Sequence, residues 1–168
     1  MLELAGRQHG VVARWQLLEL GLGADAIDRW IAHGRLVAVH RGVYAVGHRL
    51  LTVEGRWSAG VLAGGPAAVL SHRSAADLWG LTGLARPRAD VTHAVRRTPR
   101  PGITFHRMSL AADEITDRAG IPVTTVARTL FDLASVAGPV RVQQAIAVAE
   151  QRTLAEVLRK LVLVTETS

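Results

Sequence analysis

The 168 residues include no cysteine, which excludes disulfides, thiolate nucleophiles, thiolate zinc sites and iron–sulfur clusters outright. Lysine is nearly as scarce: nineteen of the twenty basic side chains are arginine, and Lys160 stands alone. A glycine-rich phosphate loop closed by a lysine is therefore missing as well. No apolar run reaches the roughly 18 residues that a membrane span needs; the longest, Ser58 to Leu70, is interrupted by Gly60, Gly64, Gly65 and Pro66. The N-terminus, Met-Leu-Glu-Leu-Ala-Gly-Arg, does not place a basic stretch before an apolar one, so it does not read as a secretory signal and the cytoplasm is the expected compartment. The seven histidines form no i, i+4 pair and have no carboxylate cluster beside them, so no metal site and no cofactor is expected.

What is present reads as a globular chain. Hydrophobic residues at 49% and charged residues at 20% are far from the composition of disorder. The length suits one ordinary domain or two small ones, and the pattern predicts two, residues 1–50 and 51–168. Positive charge is uneven. Residues 1–50 carry a net +2, residues 51–110 carry +5 and residues 111–168 carry −1. The first two thirds thus look suited to a polyanion.

The first fifty residues predict a helix-turn-helix followed by a hairpin. A short helix around Leu2, Leu4 and Ala5 ends at Gly10, a residue suited to the left-handed position after a helix. Val11 and Val12 read as extended. A second helix, Ala13 to Leu20, places Trp15, Leu17 and Leu18 at helical spacing, and Gly21-Leu22-Gly23 makes the tight turn into a third. That third helix starts at Ala24 or Asp25, presents Ile27, Trp30 and Ile31 on one face, and stops at His33-Gly34. Leu36 to His40 and Val43 to Val46, joined at Arg41-Gly42, form the hairpin expected of a wing.

In such an arrangement the third helix enters the major groove of double-stranded DNA and the wing touches the backbone or the minor groove. The candidate contacts are Arg29, opposite Ile27 and Ile31, for bases; Arg14 and Arg35 for phosphates; and Arg41 with the adjacent His40 at the wing tip. Winged helices also serve as protein-interaction modules, and Asp25 and Asp28 on the third helix oppose attraction to phosphate. Both readings stand at this point.

The remainder predicts a small α+β unit with strands grouped before helices. Residues 52–63 suit a helix with Trp57, Val61 and Leu62 inward, and Ala68 to Leu70 a buried strand. Ser71 reads as the cap of a helix through Trp79, with His72 and Arg73 in its first turn. Ser71 and His72 resemble a nucleophile and base on paper, but neighbours in a helix do not face each other, which favours capping. Strands are expected at Ala89–Val95, Ile103–Met108 and Glu114–Arg118, the last turning through Gly120 into Ile121-Pro122-Val123. Between the first two lies the densest cationic stretch, with Arg96, Arg97 and Arg100 in the loop and His106 and Arg107 on the strand after it. With Arg73 these form an auxiliary basic surface suited to a nucleic-acid backbone or an acidic partner, against the plainer reading of a solvated turn. Thr124 or Thr125 caps a helix in which Arg128 and Asp132, four apart, make a surface pair, and two more helices follow, Val140–Gln151 and Thr153–Val164.

The wing sequence Arg41-Gly42-Val43-Tyr44, the segment from Ser71 through Trp79-Gly80, and Ile121-Pro122-Val123-Thr124-Thr125 running on to Ala134 together resemble actinobacterial proteins with an AbiEi-type antitoxin domain, from type IV toxin–antitoxin systems. The likeness spans residues 3 to 150. It implies a winged helix that represses its own operon and a second domain that counters a nucleotidyltransferase-like toxin without needing to bind it tightly; the residues offer no coherent catalytic set, so no enzyme is expected. Many proteins of this kind continue into a metal-dependent nuclease domain, which needs clustered carboxylates and a nearby lysine; here Lys160 lacks an acidic neighbour in that arrangement. The alternatives are a protein-interaction module that does not bind DNA, and a truncated relative of a nuclease-domain protein.

Overall fold

A computed structural model of the chain describes residues 1–48, 50–83 and 88–166, with side chains through residue 155. The side chain of Lys160 lies outside the described residues. The N-terminal elements are α1 (Leu2–Arg7), β1 (Val11–Ala13), α2 (Arg14–Glu19), α3 (Ala24–Ala32), β2 (Leu36–His40) and β3 (Val43–Val46). β3 lies between β1 and β2, antiparallel to both. Three helices with a three-stranded sheet in this order make a winged helix. Its core is Ala5, Val12, Leu17, Ile27, Leu36 and Tyr44. Of the two leucines at helical spacing on α2, Leu17 is buried and Leu18 is 47% exposed, because a six-residue helix turns only one narrow stripe inward.

The chain continues through α4 (Val53–Gly64), β4 (Val69–Leu70), α5 (His72–Leu78), β5 (Ala89–His93), β6 (Ile103–Arg107), β7 (Ile115–Arg118), β8 (Ile121–Thr124), α6 (Val126–Val136) and α7 (Pro139–Glu166). The second sheet runs β6-β5-β4-β8-β7, giving the α+β architecture the sequence predicts. Where two terminal helices are expected, α7 runs unbroken; Arg152-Thr153 contains neither glycine nor proline and does not stop it.

α4 serves both sheets. Thr52 caps it by accepting a hydrogen bond from Gly55 N–H. Ala59 and Leu62 pack with Val11, Ala13, Val43 and Ala45 of the winged helix, while Trp57 and Val61 join Leu70, Val91 and Val123 of the second sheet. The approach to β5 is close because of glycine: a Cβ on Gly60 would lie 2.6 Å from that of Ala89. Ala89 and Val91 face α4, so Asp90 and Thr92 alternate to the other face, where Thr92 donates to Ser71 Oγ; Ser74 Oγ accepts from the Asp90 main-chain N–H. His9 adds a second tie between the halves, its Nε2 lying 2.7 Å from the Ala119 carbonyl.

Candidate nucleic-acid interface

The helix-turn-helix is built as the sequence predicts. Gly21, at φ +84°, makes the turn, and Ile27, with Trp30 and Ile31, turns inward. Arg29 therefore lies on the outer face of α3 and is exposed, as is Arg35 after it. Arg14 sits at the start of α2 but is not free: its Nη1 donates to Asp28 Oδ1 at 2.7 Å across the α2–α3 corner. That bond holds the guanidinium above its ordinary pKa. The charge is cancelled where it stands, so Arg14 and Asp28 fix the angle between the two helices and contribute little net attraction to phosphate.

The wing turns at Arg41-Gly42, with Gly42 at φ +77°, and Arg14 N–H donates to the Gly42 carbonyl at 2.8 Å. Arg41 is exposed at the tip. His40 is half-buried, and its pKa is lowered, first by that burial and then by the charge of Arg100. It is neutral at pH 7 and supplies a hydrogen-bonding ring to the tip rather than a cation. Arg100 reaches in from the loop between β5 and β6, its Nη1 donating to the Arg41 carbonyl at 2.9 Å. The wing tip and the cationic loop are thereby joined into one surface.

Of the other auxiliary residues, Arg96 and Arg107 are exposed and Arg97 is half-buried, and all three line a cleft along β6 that also takes in Arg88. The two remaining members belong elsewhere. Arg73 donates to the Val136 carbonyl and so closes the C-terminus of α6. His106, on the face of β6 opposite Phe105, donates from Nε2 to Asp90 Oδ1 at 2.9 Å.

His106 opens onto a cluster that sequence reasoning missed. Its ring stacks on that of His72 with centroids 3.5 Å apart. His72 Nδ1 is hydrogen-bonded to Ser71 Oγ at 2.9 Å, and Thr92 donates to the same oxygen at 2.8 Å. Ser71 does not cap α5 with its side chain. The expectation that neighbours cannot meet fails because His72 is at φ +49°, outside helical geometry, which swings its ring back over Ser71. Asp132 lies 3.9 Å from His72 and accepts from Arg128 Nε at 2.9 Å, and Arg128 also bonds Glu114. The Arg128–Asp132 pair is thus internal, its side chains 12% and 1% exposed. Serine, histidine and aspartate in series resemble a hydrolytic triad, but Ser71 has no exposed surface and its oxygen is occupied by Thr92. No substrate reaches it. The cluster is a largely buried polar core between the sheet, α5 and α6, with His106, its side chain 19% exposed, at the rim.

Asp90 and Asp132 carry no periodic signal as polar residues. The available hint was position: Asp90 alternates with Ala89 and Val91, and Asp132 adjoins Leu133 on α6, both in apolar surroundings. Among the described residues no group of histidines and carboxylates has the form of a metal site, and no helix is long and apolar enough to cross a membrane.

Residues 1–47, the winged helix up to the end of the wing, match the family model for transcriptional regulators of the AbiEi antitoxin type. This is the family that the motifs at residues 41–44, 71–80 and 121–134 resemble, and the first of those motifs lies within the matched segment. No curated protein sequence matches the chain.

Proposed function

We propose, from an N-terminal segment that matches AbiEi antitoxin regulators, that the chain is a DNA-binding repressor of its own promoter and the antitoxin of a type IV toxin–antitoxin system, acting in the cytoplasm. The observation that carries the reading is the set of exposed arginines on the outer side of the winged helix. Arg29 on α3, Arg35 at the wing base and Arg41 at its tip have no carboxylate partner among the described residues. α3 enters the major groove with Arg29 toward base edges, and Arg35 and Arg41 grip phosphates on either side. The α+β half counters a nucleotidyltransferase-like toxin by its effect on the toxin's action rather than by a tight complex. Arg100, fixed to the wing through the Arg41 carbonyl, and Arg96 on the same loop extend the positive track beyond the winged helix.

Titration of the upstream duplex against a scrambled duplex at two salt concentrations tests this. Preference for the cognate sequence by roughly a thousandfold, within the range of specific binders, is expected, with affinity falling steeply as salt rises. Equal binding to both duplexes, or none, overturns the repressor reading and favours an interaction module that co-purifies with a stoichiometric partner.

A further inference from the structure

β5 and β6 are parallel neighbours, Ala89 beside Ile103 and His93 beside Arg107. A parallel connection ordinarily takes a dozen or more residues, usually a helix. Here the chain returns in the nine residues from 94 to 102, stiffened by Pro99 and Pro101 and reversed at Gly102, φ +77°. So short an arch cannot lie flat on the strand it rejoins. It leaves a cleft of about 480 Å³ between itself and β6, within the size range of small-ligand sites.

Four guanidiniums line that cleft, from Arg88, Arg96, Arg97 and Arg107. Among the described residues none of them meets a carboxylate; Arg88 donates to Thr104 Oγ1, and Arg97 Nη2 lies 2.6 Å from His93 Nε2. Arg97 is the informative one. Its Nη2 is pressed against Gly65, 3.3 Å from where a Cβ would stand, and its Nε is buried with no hydrogen-bond acceptor. A buried donor on a charged group is costly to leave open, and an anion taken up by the part of the Arg97 guanidinium that lines the cleft would offset that cost. Pro99 and Phe105 supply an apolar wall beside the arginines.

We propose that this cleft binds a nucleoside triphosphate, its phosphates held by the planar forks of Arg97, Arg107 and Arg88 and its nucleoside against Pro99 and Phe105. A DNA backbone passing over the surface has no use for concavity or for a half-buried arginine, whereas a compact polyphosphate with an apolar end uses both.

The test is a fluorescence-anisotropy titration of the full chain with mant-ATP and mant-GTP, competed by unlabelled nucleotide, inorganic phosphate, tripolyphosphate and duplex DNA. Saturable binding of one nucleotide per chain is expected, displaced by nucleotide at concentrations where inorganic phosphate has no effect. Arg97→Ala and the exposed-site variant Arg107→Gln each weaken it about tenfold or more, the loss of a charged hydrogen bond, while Arg41→Ala leaves it unchanged. Three outcomes overturn the proposal: no saturable binding; displacement by inorganic phosphate as effective as by nucleotide; or loss of duplex affinity in Arg107→Gln with no nucleotide bound by the parent, which assigns the cleft to DNA.

Discussion

Acid should unfold this protein through His72. The ring is 4% exposed at its side chain, and its pKa is pushed down from 6.5 to about 4, chiefly by burial and then by the charge of the stacked His106, with Asp132 and Asp90 pulling the other way and Arg128 adding to the depression. Thr92 donates to Ser71 Oγ, leaving the Ser71 proton for Nδ1; the geometry therefore suits an imidazole whose Nδ1 accepts, the neutral form. In the unfolded chain His72 takes up a proton near pH 6.5 and the folded chain resists until about pH 4, so stability is intact above 6.5 and is lost as pH falls through that window. At about 1.4 kcal/mol per unit the loss reaches about 3 kcal/mol, a large part of the 5 to 15 kcal/mol that an ordinary domain has.

Urea denaturation at pH 7, 6, 5 and 4 measures it, with His72→Asn as comparison, since asparagine tolerates the positive φ at this position and does not titrate. The wild type should lose about 3 kcal/mol more than the variant between pH 6.5 and 4. Parallel curves for the two would refute the assignment. An NMR titration of the wild-type imidazole reads the same quantity if the variant folds poorly, and a midpoint near 6.5 would be equally damaging.

Gly60→Ala should destabilise by about 1 to 3 kcal/mol despite alanine's better helix propensity, because the added carbon meets Ala89 at 2.6 Å; a raised melting temperature would contradict the packing. Arg41→Ala should reduce the slope of log affinity against log salt by about 0.9, whereas Arg14→Ala changes it little, its charge being held by Asp28. The reverse substitution sharpens the comparison: Asp28→Asn releases Arg14 and should tighten non-specific duplex binding, and unchanged affinity would show that Arg14 is not near DNA. Asp132→Ala strips Arg128 of a buried partner and should cost about 3 to 5 kcal/mol, read by urea denaturation; a loss under 1 kcal/mol would mean that Glu114 alone satisfies the arginine.

The winged helix was legible because each of its signals is local. Gly21 and Gly42 occupy left-handed turns, the apolar spacing on α3 names its buried face, and β-branched runs flank Arg41-Gly42. Arg29 could be placed outside from that periodicity, and Arg35 and Arg41 from their positions at the base and tip of the wing. What failed were inferences from sequence distance. Arg128 and Asp132 are spaced as a surface pair, yet their helix packs against α5 and lies beside the turn before β7, which supply His72 and Glu114. Arg73 looks like one more surface cation but spans 63 residues to the Val136 carbonyl. Long-range partners leave no mark in the spacing of the residues that find them.

The same reasoning bears on how the two halves act together. A linker after the wing would let the winged helix meet DNA independently of everything that follows. Instead α4 packs between the two sheets, His9 reaches the β7–β8 turn and Arg100 holds the wing tip by its backbone. The last of these contacts is the one that a bound helix-turn-helix would feel, since the wing is where the backbone is gripped. Arg100 also adds to the lowering of the His40 pKa, after burial. Arg100→Ala should therefore do more to duplex affinity than the removal of one exposed cation, exceeding the effect of Arg96→Ala at the same salt concentration. Equal losses from the two variants, measured by anisotropy on the cognate duplex, would mean that the loop contributes charge alone and that the wing holds its geometry unaided.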